Sequence, residues 1–303
     1  MDENKHQKED TYLEVCPEAS SFSGVSQNIC LVAKNEEEKG MNDKYLNMIR
    51  YLLLKSLSQC PSSAGKLFYE LENNEFCEIY SVANLLTINF FSEKFEKLRE
   101  KRNEIESASE ADSDYKLEGI KFLLSRCALL CPVPTYSNFV LVVAFLIKVV
   151  IMDIDVLDCY KTMYTSEFCL RVLHRRILWK IFQSENVYKN LKTFCADFGN
   201  VFIPKGSMAT ILWNNSLREN FLIQVQNCIE DTDISFPLEE SEIEVFRNDS
   251  CVINNMEYNP RMSQEIENTL FSGCRKREMQ SFCGLCHTKC HNYLTHISSF
   301  ISL

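Results

Sequence analysis

The most apolar stretch of the chain, FVLVVAFLIKVVIM, runs from Phe139 to Met152 and is interrupted only by Lys148. Prolines precede it at positions 132 and 134, and aspartates follow it from position 153 onward. A helix that spans a membrane needs about 20 apolar residues, which is more than this stretch provides. We therefore predict a helix buried in a protein core, and no membrane segment.

Elsewhere, apolar residues recur at intervals of three and four, which is the period of an amphipathic helix. One such face is formed near the start by Tyr45, Met48, Ile49, Leu52, Leu53 and Leu57. Proline costs about 3 kcal/mol inside a helix, and it is missing from the periodic regions 62–131, 135–203 and 205–236. We predict an all-α fold, either an irregular multi-helix bundle or a short α-solenoid-like stack of helix pairs.

Composition divides the chain into four segments. Residues 1–40 have mixed charge and no periodicity, which predicts a disordered N-terminal tail. Residues 41–232 are predicted to form a helical core domain. The Asn-rich region 233–262 is interpreted as a polar loop or linker, and 263–303 as a C-terminal helical segment rich in cysteine and histidine.

Glycine is scarce, at 8 of 303 residues, whereas average usage is about 7%. Its spacing forms none of the motifs GxGxxG, GxxxxGK[ST] and GxSxG. These motifs need glycine where the backbone approaches a phosphate or turns sharply. We therefore expect a protein that is not an enzyme, with an enzyme of an unrecognised helical class as an alternative.

The octapeptide IMDIDVLD at 151–158 is an apolar run followed by Asp-x-Asp. It resembles the first motif of the haloacid-dehalogenase phosphatases, in which one aspartate attacks phosphorus and the other handles the proton. The chain departs from that motif after Asp155, where Val156 and Leu157 replace the family's usual Gly-Thr. Because the preceding pattern is helical, we interpret Asp153 and Asp155 as charged residues that end a buried helix.

The formal net charge is −10, and an acidic chain repels phosphate backbones at long range. The first ten residues are mostly charged and lack the apolar region of a secretory signal. We therefore expect a protein of the cytoplasm, the nucleus or both, and not a secreted one. In these reducing compartments the 15 cysteines should be thiols or metal ligands rather than disulfides.

Cysteine and histidine concentrate near the C-terminus, where Cys283-Gly-Leu-Cys286 has the CxxC form common in zinc sites. A structural zinc ion takes four tetrahedral nitrogen or sulfur ligands. The candidate ligands are Cys274, Cys283, Cys286, Cys290 and His291. A second CxxC pair is missing, so the alternative is a helix whose sulfurs pack inward and whose imidazoles face water. If zinc binds here, we expect it to hold the C-terminal helix in place rather than to take part in catalysis.

A basic stripe is predicted on the helix at 166–182. Its candidate partner-binding residues are Arg171, Arg175, Arg176 and Lys180. Arginine recognises carboxylates and phosphates with two parallel hydrogen bonds. The stripe therefore suits an acidic protein partner, or less readily a nucleic acid, unless it is an ordinary solvated helix face.

Taken together, these patterns favour a non-catalytic intracellular helical scaffold or adaptor that binds partner proteins. A zinc-binding module that contacts nucleic acid or a protein through the C-terminal cysteines is the main alternative. No cofactor other than a structural zinc ion is expected.

Overall fold

The computed structural model describes much of the chain from residue 42 onward. The described residues are 42–59, 74–91, 95–108, 115–157, 159–184, 186–202, 208–231, 235–256, 283, 286 and 289–299. Within them lie ten α-helices, two short 3-10 helices and no β-strand. The predicted all-α fold is confirmed, and the helices pack as a multi-helix bundle. The predicted N-terminal tail at 1–40 lies outside the described residues.

We number the helices in chain order. The first five are α1 at 42–56, α2 at Cys77–Phe90, α3 at Phe95–Ala108, α4 at Tyr115–Leu130 and α5 at Tyr136–Leu157. The next five are α6 at Lys161–Arg176, α7 at Val187–Phe202, α8 at Met208–Glu230, α9 at Glu240–Asn254 and α10 at Cys290–Ser298. The 3-10 helices are Leu57–Gln59, after α1, and Leu178–Ile181, after α6.

Helix α5 contains the apolar stretch and lies at the centre of the bundle, packed against α2, α4 and α6. Every side chain from Phe139 to Ile147 is at most 1% exposed, as the sequence predicts. Lys148 is only partly buried, and its ammonium group lies 6.0 Å from the centre of the Phe95 ring. No helix in the described part of the chain is both long and apolar enough to cross a bilayer.

A buried ion pair joins α3 to α5. Arg102 Nη2 donates to Asp153 Oδ1 at 2.5 Å, and both side chains are at most 10% exposed. Asp155 is exposed to solvent. Since both aspartates lie within a helix rather than at a strand tip, the resemblance to the phosphatase motif does not extend to the fold.

The structure differs from the sequence prediction at 233–262, where α9 forms instead of a loop or linker. A capping box starts this helix, because Glu239 and Glu242 each accept a hydrogen bond from the other's backbone N–H. Phe246 and Ile253 on the same helix are buried. Local capping and core contacts therefore hold an acidic segment in helical form.

Helix α10 fixes the C-terminal part of the chain to the bundle by packing against α6 and α9. Its Asn292 side chain donates to the backbone carbonyls of Ile253, at 3.0 Å, and Met256, at 3.1 Å. These carbonyls belong to the end of α9 and the turn after it, where a helix lacks internal partners for its C=O groups. Of the predicted C-terminal segment 263–303, the described part is therefore helical over α10, and 263–282 lies outside the described residues.

Candidate metal centre

Four cysteine sulfurs converge at the junction between the central bundle and the C-terminal segment. All of them lie within 4.8 Å of one another, and Cys159 Sγ is 3.6 Å from Cys286 Sγ. These two residues are 127 positions apart in the chain. We call the group the four-cysteine cluster, and its members are Cys159, Cys283, Cys286 and Cys290.

Two helix N-termini meet at the four-cysteine cluster. Cys159 lies just before α6, and Cys290 is the first residue of α10. The start of a helix carries unpaired N–H groups and the positive end of the helix dipole, which both favour a nearby anion. The N–H of Tyr160, the N-cap residue of α6, donates to Cys290 Sγ at 3.0 Å. This placement favours thiolates, the form of cysteine that binds metal.

Backbone hydrogen bonds also shape the CxxC part of the cluster. The N–H of Cys286 donates to Cys283 Sγ at 3.4 Å, and the N–H of Lys289 donates to the carbonyl of Cys286 at 3.1 Å. The first of these bonds orients the Cys283 sulfur, as supporting hydrogen bonds do for ligands in metal sites. The second connects Cys286 to Lys289, the residue before α10.

Hydrogen bonds within the cluster stabilise one negative charge, at Cys286. The thiols of Cys159 and Cys290 donate to its sulfur and lower the pKa of Cys286 to about 4. The hydrogen bond with Cys286 raises the pKa of Cys159, and hydrogen bonds with Cys159 and Cys286 raise the pKa of Cys290, because each of these thiols loses a hydrogen bond when it deprotonates. A metal ion among the sulfurs would reverse this effect, because a coordinated metal ion deprotonates its thiols outright.

The geometry of the four-cysteine cluster fits a single tetrahedral metal ion. Zinc with Zn–S bonds of about 2.3 Å holds its sulfurs about 3.8 Å apart. The observed separations, from 3.6 Å up to 4.8 Å, would need adjustments of about 1 Å or less. An iron–sulfur cluster inserts several irons and sulfides between its cysteines, so it would need wider spacing than the structure shows.

Cys286 differs in burial from the other three members of the four-cysteine cluster. Cys159, Cys283 and Cys290 are at most 5% exposed, whereas Cys286 is partly exposed. The charge of Lys161 also favours the Cys286 thiolate. A metal ion at the centre of the four sulfurs would thus be shielded from water on most sides.

Three of the five metal ligands predicted from the sequence belong to the cluster: Cys283, Cys286 and Cys290. Cys274 lies outside the described residues. His291 is described, but its ring faces Tyr160, with 5.9 Å between ring centres, and the convergent set does not include it.

Cys159 was not a predicted ligand, because it has no neighbouring cysteine or histidine to mark it. The sequence gives only indirect information about it. A CxxC pair and Cys290 supply three ligands, and a structural zinc site requires a fourth, but the spacing leaves that fourth ligand open among the remaining cysteines and histidines.

The structure places most of the predicted basic stripe against α9. Arg171 Nη1 donates to Asp249 Oδ2 at 2.7 Å. Arg175 and Arg176 both donate to the carboxylate of Glu242, which is 2% exposed. Burial opposes ionisation of Glu242, but the hydrogen bonds from Arg176 and from the Glu239 backbone hold its pKa below the ordinary value.

Lys180 stands apart from these ion pairs. It lies in the second 3-10 helix, with its ammonium group 5.9 Å from the centre of the Trp179 ring. Because carboxylates of the same chain already meet the three arginines of the stripe, an anionic partner would have to displace them. The internal pairs therefore weigh against nucleic-acid contact at this face.

A second buried polar group, which we call the Glu167 cluster, links α1, α6 and α10 through Arg50, Glu167 and His296. Glu167 is fully buried and accepts from Arg50 Nη2 at 3.1 Å, and His296 Nε2 lies 3.1 Å from its other oxygen. Burial opposes ionisation of Glu167. The hydrogen bond with His296 and the charge of Arg50 outweigh it and keep the pKa of Glu167 below the ordinary value. This cluster is a second attachment point for α10.

Comparison of the chain with known protein families, with curated proteins and with solved structures finds no match. A functional proposal for this chain therefore depends on the residues and geometry of the four-cysteine cluster.

Proposed function

We propose that the protein binds one structural zinc ion through the four-cysteine cluster, and that the ion fastens the C-terminal segment to the helical bundle. The observation that carries this proposal is the convergence of four sulfurs within 4.8 Å from parts of the chain far apart in sequence. Sulfur ligands in a tetrahedral arrangement are those that zinc prefers in structural sites.

A structural role is favoured over a catalytic one by the number of ligands. Catalytic zinc keeps an open position for water or substrate beside three protein ligands, whereas structural zinc is closed by four. Here cysteine sulfurs supply all four positions, and three of the four side chains are buried. We therefore assign no chemical step to the metal.

Helix α10 is too short to be stable without contacts to the rest of the protein. It contains 9 residues, and isolated helices shorter than about 12–15 residues are marginal in water. Zinc binding contributes directly to folding free energy when the site forms only in the folded state. The ion would join α10, through Cys290, to the start of α6, through Cys159.

Metal analysis of the purified full-length protein tests the proposal. We expect about one zinc per chain by inductively coupled plasma mass spectrometry, and tetrahedral thiolate absorption bands after substitution with Co²⁺. Cys286→Ser should abolish stoichiometric zinc binding. Cys251→Ser, at an exposed cysteine of α9, is the matched control and should retain it. Wild-type protein that contains no metal, or stoichiometric iron instead, would overturn the assignment of zinc.

We also propose that the protein acts as a non-catalytic scaffold or adaptor for partner proteins in the cytoplasm, the nucleus or both. Large apolar side chains remain exposed at Leu222 and Ile223 on α8 and at Val245 and Val252 on α9. The two valines are seven residues apart and therefore share a helix face. Exposed apolar surface of this kind supports protein contact when it is continuous.

Affinity purification from cells tests the scaffold proposal with two surface variants, Ile223→Glu and Val252→Glu. We expect specific partners with the wild-type protein and loss of at least one partner with one variant, at unchanged zinc content. Recovery of the same proteins with both variants and with a tag-only control would contradict protein binding through these surfaces.

A further inference from the structure

We propose that Cys286 is a site of oxidation by hydroperoxides, and that Cys159 resolves the oxidised sulfur by forming an intramolecular disulfide. The release of zinc that follows from this step rests on the function proposed above. The first assignment comes from the exposure of Cys286 within the four-cysteine cluster, and the second from the short distance between the Cys159 and Cys286 sulfurs.

Exposure selects Cys286 as the sulfur that meets the oxidant. The other three members of the four-cysteine cluster are at most 5% exposed, whereas Cys286 is partly exposed. Oxidation of cysteine follows thiolate character together with access. A metal-bound sulfur is already a thiolate, so Cys286 meets both conditions when zinc is bound.

The separation of the two sulfurs allows Cys159 to act as the resolving cysteine. Its sulfur lies 3.6 Å from Cys286 Sγ, and a disulfide bond is about 2.05 Å long. The two sulfurs therefore need to approach by about 1.5 Å. Cys159 belongs to the helical bundle and Cys286 to the C-terminal segment, so the new bond would join the same two parts that zinc joins.

The chemistry balances with one hydroperoxide as the oxidant. The Cys286 thiolate attacks the terminal oxygen of the peroxide, the O–O bond breaks, and the alcohol or water leaves after taking up one proton. The Cys159 thiolate then attacks the sulfur of the Cys286 sulfenic acid, the S–O bond breaks, and hydroxide leaves and is protonated to water. Two thiolates have lost two electrons, the peroxide has gained them, and the zinc leaves as Zn²⁺ because two of its four ligands are gone.

Cysteines of the bundle interior are poor competitors for the oxidant. Burial raises the pKa of Cys131 to about 11 and the pKa of Cys195 and of Cys228 to about 12. These residues stay as neutral thiols, which are not nucleophilic. Cys251 is exposed and can react with the same oxidant, so it provides an internal comparison.

The test exposes zinc-loaded full-length protein to one equivalent of hydrogen peroxide. Zinc release is followed with a chromophoric chelator, and disulfides are identified by mass spectrometry of alkylated, unreduced peptides. We expect about one zinc released for each Cys159–Cys286 disulfide formed, in the wild-type protein and equally in Cys251→Ser. Retention of zinc, or disulfides that join Cys286 to Cys283 or Cys290 instead, would overturn the proposal.

A metal-free arm separates this proposal from the zinc proposal. Reduced, chelator-treated wild-type protein should give the same cross-link with peroxide. Cys159→Ser should instead accumulate a sulfenic acid at Cys286, which dimedone traps. If the chain binds no zinc but forms the cross-link, the zinc proposal fails and the oxidation site stands. If the chain binds zinc but dimedone labels only Cys251, the oxidation site fails and the zinc proposal stands.

Discussion

Asp153 and Asp155 lie two positions apart near the end of α5, and their surroundings differ completely. Asp153 is buried against Arg102, whereas Asp155 is exposed. Removing one partner of a buried ion pair leaves the other charge uncompensated, at a cost of about 3–5 kcal/mol. A surface substitution away from such pairs changes stability by about 0.5 kcal/mol or less. Substitutions of these two aspartates, which lie within one turn of helix, are therefore expected to have very different effects on stability.

We expect Asp153→Ala to lower the free energy of unfolding by about 3 kcal/mol or more. The matched control, Asp155→Ala, should change it by less than about 0.5 kcal/mol. Urea denaturation followed by far-UV circular dichroism measures both values. Equal stability of the two variants would contradict the buried pair.

Glu167 gives a pH-dependent prediction at the residue scale. Because its pKa is held below the ordinary value, ionised Glu167 stabilises the folded state at neutral pH. That contribution is lost as the pH falls below about 4.3, the ordinary pKa of glutamate, toward the lower pKa of the folded state. Glu167→Gln should therefore lower the unfolding free energy at pH 7 by about 2 kcal/mol, and this difference should shrink in acid.

The measurement is urea denaturation of both proteins at pH 7 and at successively lower pH. Other carboxylates also titrate in acid, so the informative quantity is the difference between wild type and variant at each pH. Glu96→Gln, which removes an exposed partner of Arg99, is the control and should cost less than about 1 kcal/mol. If the stability difference between wild type and Glu167→Gln grew as the pH fell, the pH dependence would be opposite to the expected one. That result would contradict a lowered pKa of Glu167 in the folded state.

At the scale of the elements, one buried carboxylate combines two of the polar contacts that hold α9. Glu242 completes the capping box and receives Arg175 and Arg176 from α6. Glu242→Ala removes the reciprocal hydrogen bond and the buried partner of two arginines, which keep the exposed carboxylate of Glu239. We expect hydrogen exchange across 240–254 to accelerate, with a local loss of about 1–3 kcal/mol.

Glu240→Ala is the control for this prediction, since the Glu240 side chain is 75% exposed and only approaches Arg247 at 4.0 Å. It should leave exchange in α9 within about 0.5 kcal/mol of wild type. Mass-spectrometric hydrogen exchange of both variants, resolved to α9 peptides, makes the comparison. Faster exchange with Glu240→Ala than with Glu242→Ala would show that the capping box does not hold the helix.

The contrast between α1 or α5 and α9 shows which helices a sequence can predict. In α1 and α5 the signal is local, because apolar spacing alone defines the buried face. In α9 acidic and apolar residues alternate, and the carboxylate that holds the helix meets Arg176, 66 positions away. The same limit applies to the metal centre: the CxxC pair was recognisable from its spacing, but Cys159 is brought to it only by the packing of α6 against α10.

At the scale of the whole molecule, α10 is attached at two points, the four-cysteine cluster at its start and the Glu167 cluster near its end. If zinc supplies the first attachment, its removal by a chelator should loosen α10 while α5, which is buried from Phe139 to Ile147, stays protected. We expect faster hydrogen exchange over 290–298, a lower Tm, and recovery of both when zinc is restored. His296→Ala should add to the effect of the chelator, because it removes a contact of the second attachment.

The two attachments make the result of this experiment specific. Loss of zinc alone should leave some protection in α10, since Glu167, His296 and the hydrogen bonds of Asn292 to the end of α9 remain. Loss of zinc together with His296→Ala should accelerate exchange in α10 further, because a helix of this length has little stability of its own. The hydrogen bonds of Asn292 and the buried Leu294 and Ile297 would still hold it in part. Unchanged exchange in α10 after complete removal of the metal would mean that the ion does not hold the segment. Equal acceleration in α5 and α10 would mean that zinc stabilises the fold globally rather than this junction.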